Sequence, residues 1–108
     1  MNQPDTHILV QTTCPDLDCA RDLAKSLLDQ KLAGCINLVP GIESHYIWEG
    51  ERKSGNEVLL LIKTRSDLFE PLQTHIKGVH PYELPEIIAV PVTDGLPAYL
   101  NWISESTR

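Results

Sequence analysis

The chain has 108 residues, a formal net charge of -6 and 42% hydrophobic residues, which fits one domain that buries its core without cross-links. Nine basic residues face fifteen acidic ones with no basic cluster, which argues against nucleic acid as a partner. No apolar stretch reaches membrane-spanning length, and the odd count of three cysteines fits a reducing compartment better than a disulfide framework. The segment Met1–Thr6 is polar and lacks the apolar core of a secretion signal. The expected location is cytoplasmic, with residues 1–6 a disordered tail and residues 7–108 a single domain.

His7 to Thr13 reads as a first strand, rich in Ile, Leu, Val and Thr and stopped by Cys14-Pro15-Asp16. Asp16 is a helix N-cap, and Asp18 adds negative charge to the first turn. Ala20, Leu23, Ala24, Leu27 and Leu28 then recur at helical spacing on one face. Gly34 breaks that pattern. Cys35 to Val39 opens a strand, interrupted at Pro40-Gly41. Ile42, Ser44, Tyr46 and Trp48 share one parity beyond it, so the stretch is a long strand or a bulged pair. Gly50 to Asn56 is polar and glycine-bearing, which predicts a hairpin loop.

Val58 to Ile62 is an unbroken apolar run ending in Lys63-Thr64, the mark of a strand covered on both faces. Ser66-Asp67 opens a second helix, in which Asp67 and Glu70 suit a capping box. Phe69, Leu72, Ile76 and Val79 line one side, Pro71 fits only the first turn, and Gly78 marks the end. Glu86 to Val92 predicts a fourth strand, with Pro91 requiring an edge or a bulge. After Thr93-Asp94-Gly95, the residues Leu96, Tyr99, Leu100 and Ile103 space a short terminal helix.

The order β-α-β-β-α-β plus a helix is an α+β, ferredoxin-like sandwich with both main helices on one face of an antiparallel sheet. The other sheet face is left bare, or covered by the terminal helix alone. A bare apolar face on that scale marks an interface between copies. The connection His80-Pro81-Tyr82-Glu83-Leu84-Pro85-Glu86 gathers an imidazole, a phenol and two carboxylates between two prolines. Each proline stiffens its surroundings, so these groups are presented on a rigid loop.

Six segments, in order and spacing, resemble the CutA divalent-cation tolerance family. They are Thr13-Cys14-Pro15-Asp16, Leu32-Ala33-Gly34-Cys35-Ile36-Asn37, Ser44-His45-Tyr46-Ile47-Trp48-Glu49-Gly50, Lys63-Thr64, the His80 to Ile87 stretch and Tyr99-Leu100-Asn101-Trp102-Ile103. The resemblance runs from His7 to Arg108. It implies a ferredoxin-like subunit, a homotrimer, a cytoplasmic location and a non-enzymatic role in tolerance to copper and other divalent cations, with no required cofactor. That trimer resembles the PII signalling proteins. The alternative it implies is a signalling or scaffold role, binding a small anion or a partner protein in clefts between subunits. In copper-binding members the proposed ligands are a cysteine near the end of the first strand and two adjacent histidines before the Pro-Tyr pair. The matching positions here are Thr12, Val79 and His80, so one of the three ligands, His80, is kept, with Cys14 two residues beyond Thr12.

The candidate metal ligands are therefore His80 and Cys14. His80 offers an imidazole to copper or zinc, or else fixes the exit of the second helix by hydrogen bonding. Cys14 precedes a helix N-terminus, where the dipole favours a thiolate, or else it is a small covered strand-end residue. The candidate cleft residues are Lys63, Thr64, Tyr82, Glu83, Glu86 and Trp48. Glu83 and Glu86 suit a hard divalent ion, or Glu86 pairs with Lys63 or Arg65. Lys63 suits an anionic ligand. Trp48 and Tyr82, with Tyr46, line a pocket or anchor a subunit contact. Cys19 and Cys35 read as packing residues. A Cys14–His80 nucleophile and base is a third and weaker reading, since no orienting third residue is indicated.

Overall fold

The computed structural model describes residues 5–108. Strand β1 (His7–Cys14) leads to helix α1 (Leu17–Asp29), and long strands β2 (Cys35–Trp48) and β3 (Glu51–Arg65) form a hairpin. A single 3-10 turn at Ser66–Leu68 precedes helix α2 (Phe69–Val79), then strand β4 (Ile88–Val92) and helix α3 (Pro97–Ser106). The sheet order is β2-β3-β1-β4 with every neighbouring pair antiparallel. This is the split βαβ arrangement expected from the element order. Of the expected 1–6 tail, residues 1–4 lie outside those described. Asp5 and Thr6 are tied down, Asp5 to Arg108 and Thr6 to Ser66.

Alternation builds the core. On β3, Val58, Leu60, Ile62 and Thr64 are buried, while Glu57, Leu59, Leu61 and Lys63 between them are only partly covered. The buried set, with Val10 and Cys14 of β1, packs against Ala20, Leu23 and Leu27 of α1 and Leu72 and Ile76 of α2. Asp16 caps α1 as its sequence position requires, accepting the Cys19 N–H at 2.8 Å. Pro91 lies on β4, an edge strand, where its missing N–H costs no ladder bond.

Four expectations are corrected. Gly50 to Asn56 is not a loop: β3 begins at Glu51 and pairs with β2 out to Trp48. The turn is only Glu49-Gly50, with φ of 51° and 80°. Two successive positive φ values are what a two-residue hairpin turn needs to match strand twist. Asp67 and Glu70 form no capping box, because Asp67 accepts from Arg65 instead. The fourth strand starts at Ile88 rather than Glu86, two residues later than its apolar pattern suggests. The Val58–Ile62 run is not sealed on both faces. Helix α3 covers one end of the second face, through His7–Ser104 and Arg65–Thr107 bonds, and leaves Ile88 and Val90 51% and 44% exposed.

β2 holds together across Pro40-Gly41 by a bulge, where the pairing shifts between Val39 and Ile42 and Gly41 takes φ 76°. Beyond it, Ile42–Trp48 pairs with Glu51–Glu57 and nothing else in the sheet, since β1 reaches only as far as Val58. This two-stranded arm makes the subunit elongated, 52 × 25 × 23 Å.

Candidate functional site at the base of the arm

The proline-rich loop crosses the end of β1 and meets β3 where the arm begins. His80 is the pivot. The Tyr82 N–H donates to His80 Nδ1 at 3.1 Å, and His80 Nε2 lies 2.7 Å from the carbonyl oxygen of Thr13. A backbone N–H can only donate and a carbonyl can only accept, so the ring proton sits on Nε2. Both nitrogens are thereby engaged, and the Tyr82 ring lies 4.8 Å from the imidazole, tilted.

Tyr82 is aimed by this anchor at Glu57, and its hydroxyl donates to Glu57 Oε2 at 2.8 Å. Burial pushes the Glu57 carboxyl up, but hydrogen bonds from Ser44, Tyr82 and Thr13 outweigh it and hold the group below the usual carboxylate range. Burial raises the Tyr82 phenol, and its bond to Glu57 raises it further. Glu86 is also raised, by burial first and then by the charge of Glu57. Loop and arm thus share one acidic locus: Glu57 ionised and hydrogen-bonded, Glu86 nearby and repelled.

The sequence-predicted residues divide sharply around this locus. Tyr82 belongs to it by its hydrogen bond to Glu57, and Glu86, itself exposed, lies within reach of the Glu57 charge. Glu83 is exposed on the same loop. Trp48 and Lys63 share the sheet face of Glu57 but lie about six residues along the hairpin in opposite directions, roughly 20 Å each way. Lys63 donates to Asn37 Oδ1 at 2.7 Å and sits 5.9 Å from the Tyr99 ring centre. It makes no pair with Glu86, nor does Arg65, which holds Thr107 and Asp67. Thr64 faces the helices and is buried, its hydroxyl donating to the Leu32 carbonyl. It is a packing residue, not a cleft residue. Within one copy the six cleft candidates do not converge.

The expected metal ligands lie at neighbouring positions, His80 on the Thr13 carbonyl beside Cys14, but neither is free to bind. His80 has no free ring nitrogen. Cys14 is fully buried, and its thiol is pushed up to about 12 by burial, by the Cys19 thiol and by the Asp16 and Glu57 carboxylates. The expectation of a lowered thiol pKa is therefore reversed: desolvation outweighs the helix dipole. Among the described residues no group of three His, Cys, Asp or Glu side chains is placed to hold a metal ion. His80 and Cys14 do not fit a preformed copper site. Glu57 was not anticipated as a functional residue. Its only signal in sequence is a charge set immediately before an apolar strand.

Comparison with known proteins matches residues 8–106 to the family described as CutA1 divalent ion tolerance protein. The chain is 50% identical over 101 residues to "Protein CutA, chloroplastic" of Arabidopsis thaliana, covering 94% of this chain and 56% of that protein. It thus spans little more than half the length of that plant relative. The divalent-cation tolerance protein CutA of Thermus thermophilus is 43% identical over 99 residues, covering 92% of this chain and 96% of that one. The crystal structure of CutA1 from Oryza sativa superposes with a TM-score of 0.93 at 45% identity, covering 96% of this chain and 95% of the other.

Proposed function

The chain belongs to the family of CutA1 divalent ion tolerance proteins, and from that premise we propose that it is a non-enzymatic, homotrimeric cytoplasmic protein of divalent-cation tolerance whose cation-responsive surface is the acidic locus at the base of the arm. The observation that carries this reading is the half-covered sheet face. Leu59, Leu61, Ile88 and Val90 continue past the reach of α3, and the arm is a ribbon of two strands with no helix behind it. An isolated two-stranded ribbon is marginal in water, and an open apolar face of this kind needs a partner. Further copies of the chain meet both needs. Assembly is also the one way for Trp48, Lys63 and the Glu57 locus to come together, since one copy holds them far apart.

Within that assembly, Glu57, Glu86 and the Tyr82 oxygen are hard donors suited to a divalent ion. A cation there relieves the Glu57 repulsion that adds to burial in raising Glu86. Two carboxylates and one phenol oxygen per copy imply weak binding, with copper or another divalent cation as a transient ligand rather than a resident cofactor. Catalysis is not part of the proposal: the Cys14 sulfur is buried and both His80 nitrogens are held by backbone, so nucleophile and base are not assembled. The signalling or scaffold alternative keeps the same clefts but takes a protein partner. A small anion is less suited, because Lys63 is already bonded to Asn37 beside an acidic face. The three free cysteines support the cytoplasmic placement.

The test is calorimetry with Cu(II) and Zn(II) on the assembled protein. Weak saturable binding should be lost in Glu57→Gln and reduced in Glu86→Gln. Binding abolished by His80→Ala yet indifferent to both glutamate variants would move the site to the imidazole. Absence of any binding would make the tolerance role indirect.

A further inference from the structure

Helix α2 turns Leu72, Ile76 and Val79 to one side, at the spacing that stacks side chains along a helix. Leu72 and Ile76 have no exposed surface, yet Val79, the last of the set, is 57% exposed. Helix α1 does not close over it. A groove of about 560 Å³ runs instead between α1 and the end of α2, with Pro15, Leu23, Val79 and Pro81 as its apolar lining. That volume is in the range of clefts that hold ligands. The walls are stiff. Two are prolines, and a third is His80, whose ring nitrogens are both held by backbone groups. A groove already shaped in this way needs little ordering when it is filled.

Its charged lining is of one sign. Asp16 and Asp22 face the groove, and no lysine or arginine lines it. Among the described residues Asp22 makes no ion pair, because Arg21 beside it pairs with Asp18. Asp16 uses one oxygen to cap α1, which leaves the other for a ligand. We propose that this groove docks a short basic segment of a partner protein in extended form. An apolar residue of that segment enters against Val79 and Leu23, and flanking lysines or arginines meet Asp16 and Asp22. The two carboxylates stand six positions apart, roughly 9 Å along the helix, which an extended chain spans in about three residues. A metal ion or polyamine would satisfy the charges and leave the apolar lining wet. The net charge of -6 favours encounter with a basic partner. The groove belongs to the helix side of the sheet, so assembly through the open face leaves it accessible. It is separate from the acidic locus proposed for cations and does not depend on it.

The experiment titrates a fluorescently labelled peptide, Arg-Leu-Ala-Arg, with the intact protein at low ionic strength and follows its anisotropy. Saturable binding is expected. Asp22→Lys should weaken it at least about fivefold, since it turns an attraction into a repulsion. Asp16→Asn should weaken it less, keeping the helix cap while removing the charge. Val79→Ser should weaken it through the apolar contact alone. All three side chains are exposed, so these variants fold. Absence of saturation, equal binding of the control peptide Glu-Leu-Ala-Glu, or indifference to Asp22→Lys would each overturn the proposal. A response to both aspartate variants but none to Val79→Ser would reduce the effect to general attraction by an acidic chain, and overturn it too. Loss of binding in Glu57→Gln with Asp22→Lys unaffected would move the peptide to the acidic locus.

Discussion

The two faces of β3 carry nearly the same kind of side chain and meet opposite fates. Val58, Leu60 and Ile62 disappear beneath α1 and α2, while Leu59 and Leu61 stay partly open on the other side. Composition does not separate them; the covering elements do. The two main helices close one face over Val58, Leu60 and Ile62. The short α3 closes only the end near His7 and Arg65. The closed face therefore accounts for the fold of one copy. The open face, with its arm and its acidic locus, is where the proposed assembly of copies would form.

The largest effect belongs to the closed face. Leu60→Ala should cost about 2–5 kcal/mol, since it empties a site with no exposed surface, walled by both helices. Urea unfolding measures this, and a loss near zero would mean that the core is not where the stability lies. The open face should respond differently. Val90→Lys puts a charge on β4 where the side chain is already 44% exposed, so a single copy tolerates it. Its effect should appear in assembly: mass by light scattering falling from three chains towards 12.1 kDa, with the far-UV circular dichroism retained. A trimer that survives Val90→Lys intact would place the interface elsewhere.

The contrast between the faces also sorts what could be read from sequence. Strands and helices were legible because period-two and helical spacings record burial directly, and Asp16 capped α1 as its type and place required. The arm was not. Gly55 and Asn56 read as loop because a ribbon without a core beneath it needs no apolar alternation, and Glu49 gives no hint of positive φ. At the site, local features were readable and distant ones were not. A loop-fixing role for His80 was open from its place between α2 and Pro81, but the Thr13 carbonyl that completes it is 67 residues away. Glu57 gains its role only from Tyr82, 25 residues on. Cys14 was misjudged for the same reason, since its helix neighbour is local and its burial is tertiary.

The smallest effects come from the two carboxylates of the acidic locus, and their opposite signs make them informative. The Glu57 pKa is lowered on folding from an ordinary value of 4.5. Its contribution to stability is therefore present above about pH 4.5 and lost as pH falls through the lower folded value. Glu57→Gln should destabilise by roughly 1–3 kcal/mol at pH 7, because a charged acceptor is removed from the Tyr82 hydroxyl. The loss should shrink in acid. The Glu86 pKa is raised on folding. A raised carboxyl contributes stability below 4.5 that is lost as pH rises through the folded value, so Glu86→Gln should stabilise slightly at pH 7 and do nothing in strong acid. Thermal unfolding of both variants across pH 3 to 7 checks the pair. Curves that shift in the same direction would mean that the two groups do not share one field, and the acidic locus would lose its physical basis. In the double variant the Glu86 gain should shrink but persist, because the Glu57 charge is gone while burial, the larger cause, remains.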